Sequence, residues 1–397
     1  MKRTAKLLCA TAAATLALSA CADDSGGGGG GGGGSDADGP IKLMVLFSQT
    51  GPTGVDPNGP TGAEAAAAAI NEDGGINGRD IEVIVCDTAS DPNKSTECAR
   101  KAIDEGVVAI VGSFDPIGIT VSLPVLEAAG IPSLAPIAVQ PIEYQSPVSF
   151  PVVAGGVAGG IGMVAAAEDA NCTKLGTFGD QQADGGQTEN IVNAAEKAGI
   201  ETFAVNLPTG AVDVGPVVAQ ALDENPDCIA FAQGAPTAVQ LFTAIRRSGS
   251  TAQLISATPS LQLPYVQSLG DVAEGLLATQ DTPSPDSPEL QPFRDDMAAH
   301  EPDADLTPFS LGSWYGVQLF KQVAEGLDEI SSATVLEATS KLTDVELPGM
   351  ETVDFTKTQD SKLYPRLFNP TVQIVKVEGA KYVATDGEWK NVADYLP

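Results

Sequence analysis

Short apolar runs alternate with alanine-rich stretches along the chain from Ile41 onward. Each run is rich in β-branched residues and leads through a turn into a segment with helical periodicity. Because strands of continuous apolar sequence are typically buried on both faces, this order predicts parallel strands joined by helical crossovers. The predicted strands are Lys42–Phe47, Ile81–Val85, Val107–Val111 and Ile131–Ala135, and the predicted helices are Thr61–Asn71, Asn93–Asp104 and Ile119–Ala129.

A second series of the same kind follows. Two such series in one chain predict an α/β fold with two doubly wound, Rossmann-like lobes joined by crossing strands. Its predicted strands are Lys174–Phe178, Thr202–Val205, Cys228–Ala232 and Gln253–Ser256, and its predicted helices are Asn190–Lys197, Val214–Leu222, Thr237–Arg247 and Tyr265–Leu269.

Two irregular segments predict where the chain passes between the lobes. Gly155-Gly156 and Gly159-Gly160 separate the two series, and Thr282–Pro292 contains four prolines. A helix over Pro308–Gly326 would then return to the first lobe, and Thr371–Val377 with Lys381–Ala384 predicts a hairpin. The expected boundaries are 41–154 for lobe 1, 155–280 for lobe 2, 281–350 for the return to lobe 1 and 351–397 for a C-terminal segment that crosses back to lobe 2.

The first twenty residues are typical of a signal peptide. Three basic residues precede an apolar run from Leu7 to Ala20. That run is shorter than the ~20 residues that a membrane-spanning helix needs. Leu18-Ser19-Ala20-Cys21 resembles the bacterial lipobox, in which the cysteine is diacylated and becomes the mature N-terminus. The alternative is an ordinary secretory signal that contains a cysteine.

Nine glycines, Gly26–Gly34, follow the lipobox. A glycine-rich segment of roughly 19 residues, such as the one from Ala22 to Pro40, has a reach of about 25 Å. We therefore expect a signal peptide at 1–20 and an acylated Cys21 with a flexible tether at 21–40. The body would lie outside the cytoplasm, on the outer face of the plasma membrane or in the periplasm, anchored by lipid.

The formal net charge of −31 bears on partners. So acidic a chain repels phosphate backbones and anionic headgroups, which argues against a nucleic-acid partner. Solubility explains the charge better than a specific cationic partner does.

Four cysteines remain after Cys9 and Cys21, and an even number in an exported chain favours disulfides. Cys86 ends a strand and Cys98 lies on the next helix, so a local bridge is within reach. Cys172 precedes the first strand of lobe 2 and Cys228 opens its third, and such strands are commonly neighbours. We predict Cys86–Cys98 and Cys172–Cys228, with four buried free thiols as the alternative. No zinc or other metal site is expected, because the chain has no Cys-x-x-Cys pair and one histidine.

No catalytic constellation is present in the sequence, so an enzyme is not expected. The chain lacks a Gly-x-Ser-x-Gly elbow and a phosphate-binding Gly-Lys loop. The single histidine, His300, is interpreted as a solvated helix end, and Ser-His or Cys-His catalysis is not expected. Gly160-Ile161-Gly162 with Ala165 matches a loose dinucleotide pattern, which we interpret as a chance match. No cofactor is expected.

A set of short motifs occurs along the chain, and among them the run Gly74–Arg79 is fairly specific. The motifs are Thr50-Gly51-Pro52, Gly62-Ala63-Glu64, Ile70-Asn71, Asp73–Arg79, Asp87, Asp91-Pro92, Val111-Gly112, Ala129–Pro132, Ala135-Pro136 and Asp271–Gly275. In these segments the chain resembles the branched-chain amino-acid-binding proteins of ABC importers, which have the type I periplasmic-binding-protein fold. The likeness covers most of the mature chain.

The resemblance implies a clamshell that closes on a small molecule at the carboxyl ends of its strands. Backbone N–H groups at the adjoining helix N-termini would favour a carboxylate. The ligand contacts implied are Thr50, Gly51, Phe114, Asp115, Pro116, Ile137, Ala138 and Val139 in lobe 1, and Asp184, Gln233, Gly234 and Thr258 in lobe 2.

Three of these positions depart from the family pattern. A serine is usual near Asp115 or Pro116, Ala-Thr is usual where Ala138-Val139 stands, and an acidic residue is usual near Pro259. Because Asp115 would repel a ligand carboxylate unless it turns away, we hypothesise a ligand other than an ordinary branched-chain amino acid, with a cationic or amide group near Asp115 or Asp184. The alternative is a shift of these loops by a residue or two.

The function expected is that of a lipid-anchored, monomeric solute-binding protein that delivers a small polar molecule, such as an amino acid or amide, to the permease subunits of an ABC importer. The alternative hypothesis is a ligand-sensing receptor subunit with the same clamshell fold. Neighbouring permease and ATPase genes would favour transport, whereas a kinase gene would favour sensing.

Overall fold

Two sheets with the same strand order form the core of the computed structural model, which describes residues 39–51, 56–179, 186–208, 211 and 213–397. The order in each is second, first, third, fourth, fifth along the chain. The first sheet has the order β2-β1-β3-β4-β5 and is parallel throughout. Its strands are β1 (Ile41–Phe47), β2 (Ile81–Asp87), β3 (Ala109–Val111), β4 (Ser133–Leu134) and β5 (Ser149–Phe150).

The second sheet repeats this order as β7-β6-β8-β9-β10 and then continues with antiparallel strands. The predicted α/β class with two doubly wound lobes is confirmed. Its strands are β6 (Lys174–Gly179), β7 (Glu201–Asn206), β8 (Cys228–Phe231), β9 (Gln253–Ala257), β10 (Leu277–Gln280), β11 (Thr371–Glu378), β12 (Lys381–Ala384) and β13 (Lys390–Asn391).

Helices cover both faces of each sheet, as parallel strands require. In β1, Leu43 and Val45 pack into one hydrophobic cluster, whereas Met44 and Leu46 pack into another on the opposite face. The helices are α1 (Thr61–Glu72), α2 (Pro92–Asp104), α3 (Ile119–Ala129), α4 (Gly155–Asp169), α5 (Gln187–Lys197), α6 (Gly215–Asp223), α7 (Ala235–Arg247), α8 (Leu263–Leu269), α9 (Gln291–His300), α10 (Pro308–Ala324) and α11 (Ser332–Thr339). None of the helices in the described ranges is both long and apolar enough to cross a bilayer.

The glycine-rich segment predicted as a crossing is the buried helix α4. Glycine disfavours helices in isolation, but here it lets α4 lie close to the second sheet: a Cβ on Gly162 would come 2.8 Å from Val372 Cγ2. The loose dinucleotide pattern falls inside this helix, without the strand–turn–helix geometry that binds a pyrophosphate.

Several further differences concern the second half of the chain. The sequence pattern predicts neither strand β10 nor helices α9 and α11. Short or largely polar elements show little hydrophobic periodicity, so the pattern does not reveal them. His300 does end a helix, α9, but its side chain is only 16% exposed and its Nε2 lies 3.9 Å from Glu72 Oε2. The interpretation of His300 as solvated is therefore wrong.

Helix α1 packs closely on α10, which covers the first sheet. The Ser313 hydroxyl donates to Gly59 O (2.6 Å) and accepts from the Ala63 N–H (3.1 Å). A Cβ on Gly62 would lie only 1.8 Å from Ser310 O. Small residues are thus required on α1, because the backbone of α10 comes very close to it.

Both predicted cysteine pairs are bonded in the structure. The Cα atoms are 5.8 Å apart for Cys86 and Cys98, and 5.9 Å apart for Cys172 and Cys228. The first bridge ties β2 to α2, and the second ties the start of β8 to the residues before β6. Cys172 and Cys228 also lie beside Asp227, but sulfurs joined in a disulfide are not thiolate ligands for a metal.

We predict that Gly62→Ala lowers the free energy of unfolding by about 2 kcal/mol, since backbone must move to admit the methyl group. Gly159→Ala in α4 is the matched control, because its Cβ would meet nothing nearer than Thr279 Oγ1 at 4.0 Å. This control should be neutral or stabilising by up to about 1 kcal/mol. Urea denaturation measures both, and equal effects would contradict the packing described.

Removal of a disulfide should cost more stability for the longer loop, because the entropy of loop closure rises with the logarithm of loop length. The two cysteines are 56 residues apart in the Cys172–Cys228 bridge and 12 residues apart in the Cys86–Cys98 bridge. Serine replacement of both cysteines should cost about 4 kcal/mol for the longer loop and about 3 kcal/mol for the shorter one. Denaturant titration checks the order, and free thiols found by non-reducing mass mapping would refute the pairing.

Candidate functional site

A narrow cleft lies between the two lobes, with room for about 10 Å³. Its walls come from loops after strands of both sheets, from the crossings and from the first turn of α10. This is where doubly wound sheets bind ligands, outside the carboxyl ends of their strands. The lining residues are Ile137, Val153, Pro259, Asp281, Thr282, Pro308, Phe309 and Gly312.

The lobe-1 wall of the cleft is apolar and rigidly supported. The Phe309 ring contacts the Phe114 ring at 4.6 Å between centroids, and both pack with Phe47 at the end of β1. Gly312 allows Ile137 to lie against α10, because a Cβ there would come 2.7 Å from Ile137 Cδ1. Such a wall favours a ligand with an apolar portion.

Asp115 does not present its carboxylate to this cleft. The side chain is 2% exposed, accepts hydrogen bonds from Ser95 Oγ and from the Gly118 N–H (3.0 Å), and so fixes the loop that leads into α3. Burial raises the pKa of Asp115, and these hydrogen bonds oppose the rise. The structure therefore gives no basis for the expected repulsion between Asp115 and a ligand carboxylate. It also gives no basis for a cationic ligand group that binds to this side chain. The neighbouring Pro116 carbonyl accepts from Gln140 Nε2 (2.6 Å).

The loop after β4 is held by groups of the protein itself. The Ile137 N–H donates to Ser113 O, and Ala138 O accepts from the Gly156 N–H and the Tyr144 hydroxyl, each at 2.9 Å. The N–H groups of Val139 and Gln140 both donate to Glu143 Oε2 at 2.9 Å. Burial raises the pKa of Glu143 to about 8. Of the three loop residues predicted as contacts, Ile137 alone lines the cleft.

Thr50 and Gly51 belong to an exposed loop organised by Asp87. The Asp87 carboxylate accepts from Thr50 Oγ1 (2.6 Å) and from the N–H groups of Gln49, Thr50 and Ala89. Partial burial would raise the pKa of Asp87, but these hydrogen bonds outweigh it and hold the pKa below its usual value. Gly51 has φ of +122°, which leaves the loop dependent on glycine.

The predicted lobe-2 residues lie at the ends of neighbouring strands. Gln233 follows β8, is buried and donates to Phe178 O, while its Oε1 has no hydrogen-bond partner among the described residues. Gly234 caps α7, and the Thr258 N–H donates to Thr279 O (2.8 Å) next to Pro259. Asp184, like Cys21, lies outside the described residues.

Asp281 is the functional candidate that sequence reasoning missed. It follows β10, is 7% exposed, and accepts from the Gly155 N–H (2.9 Å) at the start of α4. Burial raises the pKa of Asp281, and that hydrogen bond opposes the rise. The resemblance implies an acidic residue near Pro259, where the sequence has none; in space, Asp281 and Pro259 line the same cleft. The only sequence signal was the adjoining proline-rich crossing.

Comparison with known proteins agrees with this architecture. Residues 40–366 match the periplasmic binding protein family. The Leu/Ile/Val-binding protein of Escherichia coli (strain K12) is 24% identical over 295 residues, which are 73% of this chain and 79% of that protein.

Solved structures are similar at the level of fold. A fatty acid ABC transporter substrate-binding protein from Thermomonospora curvata superposes with a TM-score of 0.78 at 18% identity, covering 91% of this chain and 97% of the other. An ABC transporter solute-binding protein from R. palustris, in complex with 4-hydroxybenzoate, gives 0.74 at 21% identity, with 89% and 97% covered. These relatives are solute-binding proteins rather than enzymes. The chain belongs to the periplasmic binding protein family, whose members are extracytoplasmic.

Proposed function

We propose that this protein is the solute-binding component of an ABC importer, anchored by lipid at Cys21, which captures a small molecule between its lobes and delivers it to the permease. Cys21 and its glycine-rich tether support the anchor, and family membership supports the transporter. No cofactor takes part in this function.

The observation that carries the proposal is the position of the cleft between lobes that are joined by crossings of the chain. Asn369 Nδ2 donates to Val152 O (3.0 Å), and the Gly155 N–H donates to Asp281, so three crossings lie side by side. Short parallel connections of this kind permit hinge closure around a ligand. We propose the lobe boundaries given above, with the last crossing near Thr371, because Phe355 and Phe368 still pack with each other and Phe355 packs on Phe150 of the first sheet.

The walls of the cleft favour a ligand that is partly apolar. Phe309, Ile137 and Val153 supply apolar surface, and Thr282 and Asp281 supply polar groups. The relatives named above bind branched aliphatic amino acids, fatty acids or 4-hydroxybenzoate by their names. An amino acid, amide or related small molecule with an apolar side chain fits both observations.

We expect a ligand to reveal itself by thermal stabilisation of the purified protein. At 100 times its dissociation constant a ligand stabilises the folded state by ~2.7 kcal/mol, and the melting temperature of a chain this size should rise by a few degrees. The screen should include leucine, amides, small carboxylates, aromatics and polyamines. If no small molecule raises the melting temperature, a solute-binding function is contradicted.

We expect Cys21→Ala to release the protein from the membrane fraction of cells that produce the full chain, because the acylated residue is lost. Ligand affinity should not change, since the tether only raises local concentration. Cys9→Ala is the matched control and should stay membrane-bound, because Cys9 is removed with the signal peptide. Membrane retention of Cys21→Ala would refute the anchor, and a loss of affinity would show a further role for the tether.

A further inference from the structure

Asp281 is the one ionisable side chain among the eight described residues that line the cleft. It is more than nine-tenths buried, and within the described part of the chain the Gly155 N–H is the one hydrogen-bond donor to its carboxylate outside its own residue. An ionised carboxylate can accept about four hydrogen bonds. Most of the accepting capacity of Asp281 is therefore unused by the protein.

No Lys, Arg or His of the described chain forms an ion pair with Asp281. A buried charge without a partner is costly, and proteins normally pair it or hydrogen-bond it fully. Two other buried acids near the cleft each accept two hydrogen bonds: Asp115 accepts from Ser95 and Gly118, and Glu143 accepts from two backbone N–H groups. Asp281 differs from both of them, and its residue lines the ligand cleft.

Among the lining residues that the structure describes, none carries a positive charge that could pair with this carboxylate. Phe309, Ile137 and Val153 are apolar, and Pro259 closes the cleft from lobe 2. A ligand with a positively charged nitrogen would compensate Asp281, and its apolar body would pack on Phe309, which Phe114 supports from behind.

We propose that the cleft binds a small amine, with its protonated nitrogen against Asp281 and a compact apolar body against Phe309 and Ile137. This inference rests on the proposed solute-binding function and specifies the chemical class of its ligand. Recognition at Asp281 would take place on the second crossing, at a residue that also holds the first crossing through Gly155. The same side chain would thus bind the charged group of the ligand and connect two of the crossings that form the hinge.

Two matched pairs of compounds test the charge requirement on the full-length protein. Isopentylamine and 4-methylpentanoate share a branched aliphatic body, and 2-phenylethylamine and 3-phenylpropanoate share an aromatic body. In each pair an ammonium group is exchanged for a carboxylate. We expect an amine to raise the melting temperature and to bind at least tenfold more tightly than its matched acid by calorimetry.

Asp281→Asn tests the residue itself. The asparagine oxygen can still accept the Gly155 N–H, and removal of an unpaired buried charge need not destabilise the fold. Amine affinity should fall about tenfold or more, which is the usual loss for a charge-assisted hydrogen bond. Asp296→Asn is the matched control: this acid is partly buried, accepts from Trp314 Nε1 (2.7 Å) outside the cleft, and should leave affinity unchanged.

Three outcomes would overturn the inference. One is tighter binding of the acids than of the amines, which would mean that Asp281 is protonated and donates to a carboxylate. Another is unchanged amine affinity in Asp281→Asn. The third is stabilisation of the wild-type protein by compounds of the wider screen but by no amine, in which case the proposed function stands. The comparison of amine with acid on the wild-type protein decides the question even if Asp281→Asn does not fold.

Discussion

Parallel strands bury both of their faces, and this requirement organises the whole molecule. Each apolar strand needs a helical crossover to reach the next parallel position, so the helices accumulate on both sides of each sheet. All loops that follow the strands then meet at one edge. Two sheets with the same strand order present two such edges, and the cleft lies between them.

The close packing that results explains the use of small residues. Helix α1 approaches α10 so closely that Gly62 cannot carry a side chain, and α4 approaches the second sheet through a face of glycine and alanine. Helix α4, which contains five glycines, derives its stability from burial rather than from intrinsic helix propensity. The same packing supports the apolar wall of the cleft, because Gly312 of α10 makes room for Ile137.

The chain has a large excess of acidic residues, and its buried carboxylates differ in how their charge is compensated. The chain carries 52 acidic residues against 21 basic ones, so a buried acid has few cationic partners to choose from. Asp115 and Glu143 are stabilised by hydrogen bonds within their own loops, and Asp87 organises a third loop in the same way. Apart from its own backbone, Asp281 accepts one such bond from the described residues, at the point where two crossings meet. In the proposal, Asp281 therefore both binds the charged group of the ligand and links two crossings of the hinge.

Much of the fold could be predicted from the sequence, because strands such as β1 and helices such as α3 have local patterns that match their final burial. The cysteine pairs followed from the order of these elements, and the signal for a lipid anchor is wholly local. Local patterns could not identify α4, whose glycines disfavour a helix until the second sheet covers them. Nor could they decide which carboxylate faces the ligand. Asp115 stands in the expected loop but is held by Ser95, a helix away, whereas Asp281 reaches the cleft from a crossing whose position depends on both lobes. Side-chain direction and charge compensation depend on contacts between residues distant in sequence, and tertiary structure alone brings those residues together.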